Sequence, residues 1–374
     1  MSKRYLAVAG AAALSLLLAA CGSSTGSGAT TSAAAPSGSS SSSASSSASG
    51  AKIGVILPDS ASSARWETND RPLLNSAFQA AGITADIQNA GGDKAKWSTL
   101  CDQMINEGVS VMLLVNLDSP TAVACETKAA AQGIKTIDYD RYTIGGSAAY
   151  YVSFDNIAVG AAEGTGLVKC MKALGKTSGP VALLNGSPTD NNATLFKQGY
   201  LGVIRAAGYT IAADTSVPNW DNTTAGTLFE QMYTKAGGNF VGVDAANDGL
   251  GGAVVAVLTK NGVQGKVPVT GQDATNEGLQ RVLLGTQCVT VYKAIKKEAD
   301  AASALAIALV NNTPPTGVAT STPYPGQPKP SVLLTPVGIY PETVKDVVAD
   351  GFTTAANLCT TAALKVACAK YGVK

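Results

Sequence analysis

Lys52-Ile53-Gly54-Val55-Ile56-Leu57 is the stretch on which the fold turns. It is short, β-branched and apolar at almost every position, the profile of a strand covered on both faces in a parallel sheet. Leu73, Leu74, Ala77, Phe78 and Ala81 then recur at helical spacing, and Gly82 stands where that helix is expected to end. A second strand is predicted over Ile83–Ile87, followed by a helix with Trp97, Leu100, Met104 and Ile105 on one face; Trp97 is read as core. Val109–Val115 predicts a third strand and Ile134–Tyr139 a fourth. Between them Asp118-Ser119-Pro120-Thr121 opens a helix with a capping residue and a proline in its first turn. After about residue 155 the alternation restarts. Strands are predicted over Pro180–Leu184, Tyr209–Ala213, Phe240–Ala245, Val267–Thr270 and Val289–Tyr292. The helices between them carry Leu195, Phe196 and Leu201, span Thr223–Ala236, carry Val254, Val255 and Leu258, and span Glu277–Leu284. Two successive βαβ series predict an α/β protein of two doubly wound parallel-sheet lobes.

The segment ahead of the first strand has a different character. Lys3 and Arg4 are followed by an uncharged run, Leu6–Ala20, that ends in Leu18-Ala19-Ala20-Cys21-Gly22. A basic start, a short apolar core and small residues before a cleavage point are the marks of a secretory signal. The run is short for a membrane-spanning helix, which needs about 20 apolar residues. Cys21 after Leu-Ala-Ala resembles the bacterial lipobox, in which the cysteine thiol is lipidated. An uncleaved anchor, or an ordinary signal with an incidental cysteine, is the alternative. Gly22–Gly50 is almost wholly Ser, Ala, Gly and Thr without a charge, a composition that buries nothing and reads as a tether. Residues 1–20 are therefore assigned to a signal peptide and 21–50 to a lipidated cysteine with its linker.

Charge is balanced, 27 Lys+Arg against 26 Asp+Glu, so nothing points to nucleic acid as a partner. The chain contains no histidine, which excludes Ser-His-Asp and Cys-His nucleophilic catalysis and every imidazole metal ligand. No cofactor and no metal are expected. Gly164-Thr165-Gly166 lacks the third glycine of a nucleotide fingerprint, and the Asp244–Asp248 region lacks the spacing of a calcium loop. Besides Cys21 there are six cysteines, an even number that favours disulfides in an exported protein but allows fifteen pairings. Cys101 and Cys125 fall on consecutive predicted helices of one lobe, and Cys359 and Cys368 share one short tail. Elimination then leaves Cys170 with Cys288.

In open parallel sheets ligands sit beyond the carboxyl ends of the strands. Polar clusters stand at those places: Ala64-Arg65-Trp66, Asp138-Tyr139-Asp140-Arg141, Asp190-Asn191-Asn192, Asn219-Trp220-Asp221, Ala246-Asn247-Asp248 and Gly271-Gln272-Asp273, with Lys293 after the last strand. Carboxylates, carboxamides and guanidinium groups engage vicinal hydroxyls, and a flat indole covers the C–H face of a sugar ring. The set therefore indicates a small polyol.

These blocks also resemble a known family. Ala64-Arg-Trp66, Ile137-Asp-Tyr-Asp-Arg141, Tyr151-Val-Ser-Phe-Asp-Asn156, Gly186-Ser-Pro-Thr-Asp-Asn-Asn192, Ala246-Asn-Asp248, Gly271-Gln-Asp-Ala274, Gly285-Thr-Gln287 and Thr290-Val-Tyr-Lys293 are similar to stretches of the type I periplasmic sugar-binding proteins, in particular the D-xylose-binding members. The resemblance implies two lobes joined by a hinge crossed three times and closing on a monosaccharide. It places residues 51–154 and 292–329 in the first lobe and 155–291 and 330–374 in the second, with a crossing at Phe154-Asp155-Asn156. It implies that Arg65 and Arg141 donate hydrogen bonds from the first lobe, with Trp66 against one sugar face. Asp190, Asn192, Asn247 and Asp273 would bind hydroxyls from the second lobe, with Trp220 on the other face and Lys293 reaching a hydroxyl. The partners implied are the sugar and the permease of an ABC importer; the protein would be a monomer held at the membrane through Cys21. A sugar sensor serving a receptor would use the same site. An interlobe-cleft enzyme with Asp190 and Asp273 as acid and base is the remaining alternative.

Overall fold

The computed structural model describes residues 50–374. The signal segment, Cys21 and all but the last residue of the linker lie outside the described residues.

The first lobe is built from β1 (Lys52–Leu57), α1 (Arg71–Ala80), β2 (Thr84–Asn89), α2 (Lys94–Asn106), β3 (Val111–Leu114), α3 (Ser119–Ala131), β4 (Lys135–Tyr139) and β5 (Tyr150–Phe154). The second contains α4 (Asn156–Ala173), β6 (Pro180–Asn185), α5 (Asn191–Ala206), β7 (Thr210–Ser216), α6 (Asn222–Lys235), β8 (Gly242–Ala245), α7 (Asp248–Lys260), α8 (Asn276–Leu283) and β9 (Thr290–Tyr292). The chain returns to the first lobe for α9 (Ile295–Val310), β10 (Ala319–Tyr324) and β11 (Gln327–Leu334). It ends in the second with β12 (Val337–Ile339), α10 (Val344–Ala349), α11 (Ala355–Leu358) and α12 (Ala362–Tyr371).

The first sheet has the order β10-β11-β5-β4-β3-β1-β2. All its neighbours are parallel except the β10–β11 hairpin. Strand β3 is buried throughout and β1, β4 and β5 from their second residue on, as the apolar runs require, and Trp97 is core as expected, its indole N–H donating to the Val115 carbonyl at 2.9 Å. In the second lobe β7, β6 and β8 form a parallel ladder, and β9 pairs antiparallel with β12.

Two expectations need correcting. Val267–Thr270 is not a full strand: it bridges β8 only at Val243–Val269, because Pro268 has no N–H to extend the ladder. It still sits where a strand should, since Val269 accepts from Cys288 N–H at 2.8 Å and Gly271 from Val291 N–H at 2.9 Å. The final lobe boundary also moves. Residues 330–334 belong to the first lobe, because β11 stays in register with β5 as far as Leu334–Phe154. The three passages between lobes therefore fall at Asp155, at Lys293-Ala294, and at residues 335–336. The first and third are joined by Asp155 N–H donating to the Leu334 carbonyl at 2.9 Å.

Three disulfides join Cys101 to Cys125, Cys170 to Cys288 and Cys359 to Cys368, the pairing that adjacency and elimination suggest. Each closes within one lobe. No helix among the described residues is long and apolar enough to cross a membrane.

Candidate functional site

On the first-lobe side the chain leaves β1 through a loop in which the Asp59 carboxylate accepts from the Ser62 N–H at 2.6 Å and hydroxyl at 2.9 Å. It then passes through a π turn, Trp66–Asp70, before entering α1. Such wide turns are frequent at functional sites because they displace side chains from the regular helical track. Here the turn turns the Asp70 carboxylate onto Arg65, whose Nε and Nη2 donate to it at 2.9 and 2.8 Å. After β4, Asp140 is left-handed (φ 61°), a conformation Asp tolerates better than most residues. That twist presents the Asp140 carbonyl to Asn192 Nδ2 at 2.8 Å and to the Tyr151 hydroxyl at 3.0 Å.

On the second-lobe side, Asp190 and Asn247 cap α5 and α7, accepting from the N–H groups of Asn192 and Leu250 at 3.0 and 2.8 Å. Asn192 and Phe196 are one turn apart on α5 and share a face. Trp220 ends a tight turn in which Asn219 and Trp220 are both left-handed, and its indole occupies space that Gly186 leaves open; a Cβ there would come within 2.0 Å of the ring. Gln272 and Asp273 follow the Val267–Thr270 segment, and Lys293 stands at the second passage between lobes.

All nine residues singled out in the sequence, Arg65, Trp66, Arg141, Asp190, Asn192, Trp220, Asn247, Asp273 and Lys293, line a single cavity. Ser62, Ser63, Asp140, Phe196 and Gln272 complete its wall. Asp140 and Gln272 stood within the polar clusters already picked out. Phe196 did not, since an apolar residue at helical spacing is indistinguishable from core; its place one turn after Asn192 was the available signal.

The cavity bridges the lobes. Arg141 Nε lies 3.1 Å from Asp190 Oδ2, and the Trp220 indole N–H donates to the same oxygen at 3.1 Å. Beside it Asn191 Nδ2 donates to the Ser119 hydroxyl at 2.7 Å and to the Tyr142 carbonyl at 2.8 Å. With the Asn192–Asp140 bond, these hold the two lobes together over the cavity, the closed arrangement.

Charge within the cavity is paired but not exhausted. Arg65 gives Nη1 to Asp140 at 2.9 Å and Nη2 to Glu298 at 2.7 Å in addition to its two bonds with Asp70, so four of its five N–H groups are engaged. Lys293 Nζ lies 2.9 Å from Asp273 Oδ1, at an angle too poor for a full hydrogen bond. Burial works against the Lys293 charge, but Asp273 and Asp140 outweigh it and hold its pKa above the usual lysine value. Burial likewise opposes ionisation of Asp140, and Arg65, Lys293 and Arg141 reverse the balance and keep its pKa low. At Asp190 burial prevails over the attraction of Arg141 and raises the pKa. Gln272 gives its amide N–H to the Ala246 carbonyl at 2.8 Å, while its side-chain oxygen is buried without a partner among the described residues. Asn247 commits its oxygen to the cap and has its NH₂ left to offer. The wall thus combines fixed donors, fixed acceptors and two indoles, one from each lobe. No group of three carboxylates or thiols among the described residues is placed to hold a metal.

Comparison with known proteins bears on what such a wall serves. The model of the periplasmic binding protein domain matches residues 53–314. The D-xylose-binding periplasmic protein of Escherichia coli (strain K12) is 32% identical over 311 residues, covering 82% of this chain and 92% of the relative. The chain belongs to the type I periplasmic sugar-binding protein family. The D-xylose-binding periplasmic protein of Haemophilus influenzae is 30% identical over 310 residues, covering 81% and 90%. Among solved structures, a carbohydrate transporter solute-binding protein from Chloroflexus aurantiacus in complex with D-glucose matches with a TM-score of 0.72 and 27% identity, over 82% of this chain and 97% of that one. Members of this family bind sugars and do not catalyse, so the enzyme alternative is set aside. The protein is a solute-binding component of the ABC-transport type, and its family is extracytoplasmic.

Proposed function

We propose that the protein captures a monosaccharide in the interlobe cavity, D-xylose first among candidates, and delivers it to the membrane permease of an ABC importer. The observation that carries this is the convergence of nine residues, drawn from both lobes, on one cavity between them. In this reading Trp66 and Trp220 cover the ring faces. The free N–H of Arg65, the Asn247 NH₂, Gln272 Oε1 and the Asp273–Lys293 pair meet the hydroxyls. Arg141, Asp190 and Asn192 act chiefly as the latch between lobes. Only the closed form brings both lobes against the sugar, so binding draws an open–closed equilibrium toward closure, and the closed form is what the permease reads. An epimer would leave a buried partner unsatisfied, at about 1–3 kcal/mol per group. The identity with two D-xylose-binding relatives supports xylose in particular.

The test is calorimetric titration of the purified protein with D-xylose, D-glucose, L-arabinose, D-ribose and D-galactose. Saturable one-to-one binding strongest for xylose, and lost in Asp273→Ala, is the expected result; stronger binding of another of the five reassigns the ligand. We further propose that Cys21 carries the lipid anchor and that the protein works as a monomer. Cys21→Ser should release the chain into the medium, and light scattering should return a single-chain mass.

A further inference from the structure

We propose that the C-terminal arm, residues 344–374, is a positioning element that holds Asp273 and Lys293 in place and so sets how sharply the cavity separates one sugar from another; this rests on the sugar-binding reading above. Asp273 (φ 92°) and the following Ala274 (φ 50°) are both left-handed without being glycine. Backbone of this kind is costly for a residue with a side chain and persists only where the surroundings enforce it. Two of the enforcing contacts are local: Asp273 N–H donates to the Val291 carbonyl at 2.9 Å, and Ala274 N–H to the Thr290 hydroxyl at 3.1 Å. Asp248 adds another, its carboxylate accepting from the Thr275 N–H at 2.8 Å, and the arm supplies much of the packing around them. Ala274 is fully buried in a small core separate from those of the two sheets, to which the arm contributes Val344, Val347, Leu358, Leu364 and Cys368.

The same core grips the other half of the pair. Tyr292, the residue before Lys293, donates its hydroxyl to Asp350 Oδ2 at 2.6 Å, and its ring meets Phe352 edge-on with centroids 5.1 Å apart. The arm is itself fastened. The Thr353 hydroxyl bonds Asn276 Oδ1 at 2.6 Å, Gln280 Nε2 reaches the carbonyls of Asn357 and Leu358 at 3.2 and 3.1 Å, and the Cys359–Cys368 disulfide closes its end. On its outer side the arm faces the first lobe. Phe352, Thr353 and Asn357 stand with Thr68 and Asn69 around a seam cavity whose wall shares Ser63, Arg65 and Asp273 with the sugar cavity. Tyr292, Asp350 and Phe352 are thus positioning residues: they act on the sugar through Asp273 and Lys293.

Two measurements on Phe352→Ala, Phe352→Tyr and Tyr292→Phe test this. In titration, Phe352→Ala should weaken D-xylose at least tenfold and D-glucose less, narrowing the ratio between them, while Phe352→Tyr stays within about threefold of the parent. A uniform loss for both sugars would indicate general loosening and overturn the proposal. In hydrogen exchange, the amides of Asp273 and Ala274 should exchange at least tenfold faster in Phe352→Ala, with Ile53–Leu57 unchanged. Unchanged exchange at 273–274, or an equal rise across the whole second lobe, overturns it. Tyr292→Phe removes only a hydroxyl and carries the same test if Phe352→Ala does not fold. If the parent binds no sugar, the functional reading fails, and the exchange experiment still decides the role of the arm.

Discussion

Arg65 sits among three carboxylates, with Asp70 held in a fork and Asp140 and Glu298 on its remaining sides. A lysine keeps the charge but offers one point in place of a planar fork. Arg65→Lys is therefore expected to cost about 3 kcal/mol in urea unfolding, the scale of a broken buried ion pair. A loss below about 1 kcal/mol would show that the fork geometry does not matter. Asp190→Asn is expected to behave differently. The amide keeps the oxygen that caps α5 but loses the charge that draws Arg141 across the cleft. Sugar affinity should fall about tenfold, the effect of about 1.4 kcal/mol, with little change in the melting temperature of the free protein. That these nine residues share one cavity was legible because each lies at or beyond the end of a strand, where topology alone collects polar groups. What the sequence did not disclose was their division of labour. The Asp140 carbonyl becomes a lobe contact only through a left-handed backbone that no residue pattern announces. Asp190, expected to hold a hydroxyl, already accepts from Arg141, Trp220 and Asn192.

The elements that carry the second-lobe half of the site depend on one close helix crossing. A Cβ on Gly160 of α4 would come within 1.9 Å of the Phe196 carbonyl on α5, and one on Gly199 within 2.2 Å of the Ile157 carbonyl. Both obstacles are backbone and cannot rotate away. Gly160→Ala should push α5 outward and displace its cap Asp190, Asn192 and Phe196 together. The expected cost is about 1–3 kcal/mol of stability, with sugar affinity falling in the same variant; a melt and a titration check both. Buried parallel strands such as β1 and β3 were legible because burial on both faces forces apolar runs. The β10–β11 hairpin was not, because its sequence is polar and rich in proline. It is held by contacts that only the fold supplies: Lys329 Nζ lies 3.1 Å from the buried Asp138 carboxylate, and Tyr324 stacks on Tyr142 with centroids 6.0 Å apart. Missing that hairpin also put the third passage between lobes a few residues too early.

Across the whole molecule, several buried carboxyl groups are held away from ionisation, and that sets how stability depends on pH. Burial and the nearby Asp138 push Glu126 up to about 8, and burial moves Asp248 to about 6 against the pull of Arg281. Glu163 and Asp244 lie fully buried in the second lobe, and none of their four carboxyl oxygens has a partner among the described residues. Burial raises both well above the ordinary carboxylate range, and Asp244 adds repulsion at Glu163. For each of these groups the folded pKa exceeds the unfolded one, so between the two values the native state holds a proton that the unfolded chain has released. Stability then falls as pH rises through that interval. At about 1.4 kcal/mol per pKa unit, Asp248 alone favours pH 4 over pH 7 by about 2 kcal/mol. Asp140 and Asp118 act in the opposite sense: burial opposes their charge, but Arg65 at the first and Lys94 at the second hold the pKa low. Their contribution is present above the unfolded pKa and is lost as pH falls below about 4. The two trends place the maximum in mildly acidic solution. Calorimetric melting from pH 4 to pH 8.5 should show the highest transition near pH 5 and a steady decline toward pH 8. Glu163→Gln, which cannot titrate, should flatten that decline and raise the melting temperature at pH 8. A parent curve that is level or rising between pH 5 and pH 8 would mean that these carboxyl groups ionise in the native state.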